Sequence, residues 1–346
     1  MACFTTEYIL HTNNPSVVVV DNCQIDQDIW VVERLTGHKF KMFKWNIYSK
    51  QIHKIDFKNR YLIECNNGLE EYEKDFTICS SNGKLYMWRE HFNFSRLLEF
   101  DPTTLEWKIL KSVEWKPVPT NFSIVNNEVY ISYGCHIVRT FSINEDRSII
   151  YNFSIVSNGI QKEMSFCNMN DAVYFTHIPP NGTRGVAKYN REISKFGVLA
   201  NYDKPRCYLE HTGSGEYHPH TYGYNNKMYQ LIQSKDRIIL DCFDIETKKF
   251  HTMFETKHTG IDVINMCGTD KKSYVVYSRN GTVAIRVIDM KPTFEKISLV
   301  SVADQSVCTN SIEVVRNILP YTLRPKFENM VRWKMTEMTK FNSQKC

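Results

Sequence analysis

The chain has 346 residues, 42% hydrophobic and 23% charged, so it can bury a large core either as two ordinary domains or as one repeat-built unit. Its 43 basic and 38 acidic groups leave a net charge of +5, but the signs are mixed along the chain, which argues against the concentrated basic face that nucleic acid attracts. The abundance of aromatics (19 Tyr, 20 Phe, 6 Trp) and short runs of β-branched residues point to strands, and helical patterning is scarce before residue 310.

The N-terminal stretch MACFTTEYILHTNNPSVVVVDNC shows no basic segment followed by an apolar core and a small-residue cleavage site, and the run from Val17 to Val20 is far too short to cross a bilayer. The expectation is an intracellular chain, cytoplasmic or nuclear, with no membrane partner. On that reading the sequons at Asn93, Asn121, Asn152, Asn181 and Asn280 are simply Asn-rich turns.

Proceeding along the chain, one pattern recurs: KWNIYSKQI, EFDPTTLEW, TFSINEDRSI, KYNREISKF, CFDIETKKF and VIDMKPTFE. Each has an aromatic or Ile, then Asn, Asp or Ser at 46, 101, 142, 190, 244 or 289, then a polar turn and a new apolar strand. The side chain of that Asx or Ser can bond backbone groups two residues on and so fix a tight corner. The corners are separated by 55, 41, 48, 54 and 45 residues, close to a propeller period. A second landmark precedes each corner by 12 to 16 residues: the aromatic at Trp30, Tyr86, Tyr130, Tyr174, Tyr229 or Tyr274, usually closing an Asn-rich hairpin such as NNEVY or NNKMY. Two landmarks in step predict six four-stranded antiparallel blades over 15–57, 60–112, 116–156, 160–201, 217–256 and 260–301. Isolated blades would expose two apolar faces, so the six must pack in a ring. Closure is open: the last unit has its own outer strand, FEKISLVS, while TTEYIL could instead add to it.

At this point the chain resembles the kelch-type β-propellers, whose blades carry an apolar-Tyr strand and an outer corner of the FDPTTLEW kind; GKLYMWREHFNFSRLLEFDPTTLEWKIL is the best copy. The family's Gly-Gly doublet after the Tyr strand is absent, replaced by LYMWRE, VYISYG, VYFTHI, MYQLIQ and YVVYSR, which marks a divergent member. The resemblance implies an all-β six-bladed propeller over 1–301, a non-enzymatic module that presents a loop-rich face to a protein or peptide. It also implies possible service as a substrate adaptor among ubiquitin-ligase components, although no F-box or dimerisation domain fits before residue 15.

The 11 Cys contain no Cys-x-x-Cys pair, and four of them, Cys23, Cys79, Cys167 and Cys267, each stand seven residues before a landmark aromatic, where Ser123 and Tyr222 stand in the other units. They read as one repeated inner-strand position filled by a small apolar residue, too widely dispersed to share a metal. No cofactor is expected.

The densest chemistry is RCYLEHTGSGEYHPHTYGY, with Glu210, His211, Glu216, His218 and His220 entering the fifth blade. These are candidate partner contacts. His218 and His220, two apart around Pro219, could co-ligate a cation if extended, which defines the alternative: a metal-dependent hydrolase or lyase with its site near the 210–220 loop. A channel lined by several carboxylates would favour that alternative. Arg184, in IPPNGTRG, could meet a partner carboxylate, and the acidic insert ECNNGLEEYEKD at 64–75 would suit a basic partner. No phosphate-cradling loop, nucleophile elbow or repeated carboxylate pair is present, so no catalytic residue is assigned. Bases could stack on Tyr and Phe at a propeller face, but these aromatics follow the strand period and read as core.

From 302 to 346 the repeat gives way to a helical tail. Asn310 or Ser311 can cap a first helix, Pro320 and Pro325 break it, and a second aligns Phe327, Val331, Met335 and Met338 on one stripe. That stripe is expected to dock on the propeller, with partner binding through Trp333 as the alternative.

Overall fold

The computed structural model describes residues 5–11, 17–63, 76–90, 94–114, 121–133, 137–145, 148–152, 162–178, 183–190, 195–203, 220–233, 237–257, 261–279, 282–290, 328–329 and 331–332. They fall into two compact units, one within Thr5–Ile288 and the other made of the described residues from Asp289 onward. In the second unit, residues 328–329 and 331–332 are helical, where the second tail helix is expected; Phe327, Trp333, Met335 and Met338 lie outside the described residues.

The first unit is a six-bladed β-propeller of four-stranded antiparallel sheets. Blade 1 holds β2 (Val17–Ile25), β3 (Asp28–Leu35), β4 (Phe40–Asn46) and β5 (Ile52–Ile55); blade 2 holds β6 (Phe76–Ser81), β7 (Lys84–Glu90), β8 (Ser95–Asp101) and β9 (Glu106–Val113). Blade 3 holds β10 (Asn121–Val125), β11 (Glu128–Tyr133), β12 (Ile137–Ser142) and β13 (Ser148–Asn152); blade 4 holds β14 (Lys162–Met169), β15 (Ala172–Ile178), β16 (Thr183–Asn190) and β17 (Lys195–Asp203). Blade 5 holds β18 (His220–Tyr224), β19 (Lys227–Gln233), β20 (Arg237–Asp244) and β21 (Lys249–Lys257). Blade 6 holds β22 (Asp262–Gly268), β23 (Lys272–Arg279) and β24 (Thr282–Asp289), and its outer strand is β1 (Thr5–His11), paired antiparallel to β24 with Thr5 opposite Ile288. The question of closure is therefore answered by TTEYIL; FEKISLVS lies outside the described residues. The innermost strands neighbour one another in sequence, and β22 lies beside β2, which closes the ring.

Local chemistry explains each blade. In blades 2 to 5 the hairpin from first to second strand is a two-residue turn whose central residues both take positive φ, which Asn, Asp and Gly tolerate best. Asn126 and Asn127 take φ of 50° and 62°, Asn170 and Asp171 50° and 56°, Asn225 and Asn226 46° and 57°, and Asn82 and Gly83 50° and 72°. At the outer corner the expected Asx bonds form. Asn46 Oδ1 accepts from the N–H of Tyr48 (3.1 Å) and Ser49 (2.9 Å), Asp101 Oδ1 from that of Thr103 (2.8 Å), and Asp244 Oδ1 from those of Glu246 (3.0 Å) and Thr247 (2.9 Å). Ser142 Oγ accepts from Asn144 N–H at 3.3 Å.

The two sequence landmarks turn out to be the two sides of one seam. The landmark aromatic of one blade meets the corner aromatic of the next: Trp30 with Phe100 (ring centroids 5.6 Å apart), Tyr130 with Tyr189 (5.2 Å) and, across the closure, Tyr274 with Trp45 (5.7 Å). Tyr86 with Phe141 and Tyr174 with Phe243 share the apolar clusters of two further seams. All are buried, and each edge-on pair adds about 0.5–1.5 kcal/mol beyond its area burial. Thus the landmarks keep step because each seam needs one residue from either side.

Candidate interaction face

The topology gives the ring two unlike ends. One carries the short hairpins between first and second strands and the Asx-closed corners. The other carries the turns between second and third strands and every connection between blades, including 56–75 and 204–219. All three loops singled out in the sequence are anchored at this second end: 64–75 between Ile63 and Phe76, 179–182 between β15 and β16, and 204–219 between β17 and β18. Ile63 and Phe76 are fully buried in the seam of blades 1 and 2, so both ends of the acidic insert are fastened to the core.

Of the candidate contacts, Arg184 is the second residue of β16, its backbone opposite Tyr202, and His220 opens β18 opposite Leu231. Both stand near the loop-rich end, in adjacent blades. Glu210, His211, Glu216, His218 and Trp333 lie outside the described residues. The sequence reading missed the charges beneath this end: Glu33, Arg34 and Arg89 are all buried, and the Arg89 guanidinium lies 4.7 Å from the ring centre of Phe40, itself edge-on to Phe76 at 5.4 Å. A charged residue in a strand reads as a surface position, and only the seam reveals that it is inside.

Along the axis runs a cavity of about 300 Å³, lined from all six blades, with Asn22 to Gln24, Asp26 and Asn265 to Gly268 among the lining residues. Cys23, Cys79, Ser123, Cys167, Tyr222 and Cys267 lie opposite Trp30, Tyr86, Tyr130, Tyr174, Tyr229 and Tyr274, so they do occupy one repeated position. Burial pushes the thiols of Cys23, Cys79 and Cys267 well above their ordinary range, and that of Cys167 up to about 12. Neutral at physiological pH, they are poor nucleophiles. Asp26 is the carboxylate among the lining residues, and no three described His, Cys, Asp or Glu side chains gather as a metal site.

The polar groups of the inner ring bind one blade to the next. Asp21 Oδ2 accepts from Thr77 Oγ1 (2.9 Å) and Ile78 N–H (3.1 Å) of blade 2, while its Oδ1 accepts from Asn265 Nδ2 of blade 6 (3.1 Å). Ser80 Oγ donates to Gln24 O (2.6 Å). Between blades 3 and 4, Asn121 Nδ2 donates to Ser165 Oγ (3.2 Å) and Asn168 Nδ2 to Ile124 O (2.8 Å). Thr221 Oγ1 donates to Phe166 O (2.9 Å), and the buried Tyr222 hydroxyl donates to Thr269 O (3.1 Å) and meets Ser273 Oγ (2.6 Å). These groups serve the seams, so polarity along the channel has a structural cause.

No protein-family model matches the chain, and no curated protein matches it. Among solved structures, it is similar to "YCF48 bound to D1 peptide", with 11% identity over 78% of this chain and 76% of that one and a TM-score of 0.43. The order of the six four-stranded sheets by itself makes the fold a propeller. Among the described residues no helix is long and apolar enough to cross a membrane.

Proposed function

We propose that this chain is a non-enzymatic interaction module, a divergent kelch-type propeller whose loop-rich end takes a protein or peptide partner. The observation that carries the reading is the contrast between the ends. One end is closed by tight turns, whereas the other bears long connections, one of them anchored in the buried seam residues Ile63 and Phe76, the usual arrangement of a rigid scaffold carrying binding loops. The commitment of inner-ring polar groups to the seams supports the same reading. In it, Arg184, Glu210, His211, Glu216, His218 and His220 contact the partner, and Trp333 contributes from the tail. A role as adaptor for ubiquitin-ligase components is the narrower form of this proposal.

The test is partner capture from cells with the wild-type chain, with Glu210, His211, Glu216 and His218 changed to Ala, and with residues 302–346 removed. The reading expects a reproducible protein set lost in the loop variant at unchanged thermal stability, and the narrower form expects ligase components within the set. An unchanged set in the loop variant overturns it. So does stoichiometric metal in the purified protein that disappears when His218 and His220 become Ala.

A further inference from the structure

We propose that the axial cavity is a binding site for a small neutral molecule with an amide-like edge, a carboxamide or a lactam, held by the side chain of Asn22. The inference does not rest on the loop-rich end. The cavity takes its lining from all six blades, and the other lining amides donate to the protein itself. Gln24 Nε2 donates to Asp26 O (2.8 Å), Asn121 Nδ2 to Ser165 Oγ (3.2 Å), and Asn168 Nδ2 to Ile124 O (2.8 Å). Asn265 is used at both ends: its Nδ2 donates to Asp21 Oδ1 (3.1 Å) and Asn22 O (2.9 Å), and its Oδ1 accepts from Met266 N–H (2.8 Å).

Asn22 is the exception. It lines the cavity at 1% exposure, and neither Oδ1 nor Nδ2 of its side chain meets a hydrogen-bonding group of the protein. Its backbone, by contrast, is fixed on both sides, since the N–H donates to Asp21 Oδ1 (2.8 Å) and the carbonyl accepts from Asn265. Side chains alternate along β2, so where Cys23 packs into the seam with blade 2, Asn22 turns to the blade 6 side, where Asn265 and Cys267 also line the cavity. Buried polar groups are nearly always paired, so a whole carboxamide left over beside a cavity calls for a cause, and an apolar side chain would pack there without the cost. One water takes up about 30 Å³ of liquid. The cavity, at about 300 Å³, reaches the size of small-molecule pockets.

The lining chooses the class of molecule. A carboxamide offers a donor beside an acceptor, so its complement is an edge with acceptor and donor side by side, as in another amide or a lactam. Among the described lining residues there is no Lys, Arg or His to offset an anion. The carboxylate of the lining, Asp26, stands four positions from Asn22, roughly 13 Å at the rise of an extended chain, so the amide works away from charge. A neutral ligand follows. Ile78, Phe122, Phe166 and Met266 supply apolar surface for the flat faces of such a molecule.

The probes are benzamide and uracil, titrated against the full chain and read by ligand-observed NMR and by the side-chain amide resonance of Asn22. Saturable millimolar binding is expected, with that resonance shifting. N,N-dimethylbenzamide, which keeps the acceptor and lacks the donor, and benzoate, which carries a charge, should each bind about ten-fold more weakly than benzamide. Asn22→Leu, of similar size, should fold with an unfolding midpoint no lower than wild type and lose affinity by a similar factor. If that variant does not fold, the wild-type resonance decides. Absence of saturable binding, an unmoved Asn22 resonance, equal binding of dimethylbenzamide or benzoate, or undiminished binding in Asn22→Leu overturns the proposal and leaves the amide to water alone.

Discussion

Replacing Asp21 with Ala should loosen the ring at the point where it closes. The buried carboxylate accepts hydrogen bonds of 2.8 to 3.1 Å from, among others, Asn22 N–H, Thr77 Oγ1, Ile78 N–H and Asn265 Nδ2, and so links blades 6, 1 and 2. Hydrogen bonds to a charged acceptor contribute about 1.5–3 kcal/mol each, although bonds to one acceptor do not add, and removing one member of a buried charged network costs about 3–5 kcal/mol. We therefore expect Asp21→Ala to destabilise by about 3–5 kcal/mol, read as a lower midpoint in urea at unchanged slope. Asp21→Asn is the sharper variant. Each carboxylate oxygen serves at least two donors, and an amide has one oxygen, so donors would then face an NH₂ group; most of the loss should persist. Amide exchange should quicken first in β2, β6 and β22. A loss below about 1 kcal/mol in both variants would refute the view that this carboxylate holds the closure.

Three further outcomes follow from the same geometry. A Cβ on Gly223 would lie 2.8 Å from both Asn168 O and Met169 Cβ, so Gly223→Ala should cost about 1–3 kcal/mol, measurable as a lower unfolding midpoint. The Asp101 carboxyl is held below its usual range chiefly by the Thr103 hydroxyl, and that of Asp244 chiefly by Thr247 N–H. Groups whose folded pKa is depressed contribute above the unfolded value and lose that contribution as pH falls through the folded one, here below about pH 4. Because Asn46 makes the same corner without a charge, a D101N/D244N variant should fold and show a shallower acid limb in stability against pH. For Cys167, a pKa near 12 leaves a thiolate fraction at pH 8 about three orders of magnitude below that of a free thiol, so alkylation should await unfolding in urea; equal rates in native protein would contradict the burial.

Much of the fold is legible in the sequence because its signals are local and recur. The Asx corner works through backbone groups two and three residues away, as at Asn46 and Asp244, and the hairpin needs only two residues that tolerate positive φ, as at Asn126 and Asn127. The equivalence of Cys23, Cys79, Cys167 and Cys267 follows from their fixed offset to a partner on the next strand. Long-range features are less accessible. Asp21, Arg89 and Glu33 look like surface residues until the neighbouring blade covers them, and the pairing of Thr5 with Ile288 has no local signal. The candidate site was legible as composition, and the topology adds that its loops share one end; seam residues such as Ile63 and Phe76, which fasten those loops, emerge only when blades 1 and 2 pack together.

Because β1 completes a sheet whose other strands come last in the propeller, it leaves the ribosome long before the strands it joins and is among the latest to find its place. At about 5–20 residues per second, β1 waits roughly 15–60 s for β24 to emerge, with Tyr8, Ile9 and Leu10 uncovered meanwhile. Blades 1 to 5 can each gather from consecutive segments during that interval, but the circle is sealed only after synthesis has passed Asp289. A bulky fusion ahead of Thr5 should therefore hinder maturation more than the same fusion placed behind Cys346.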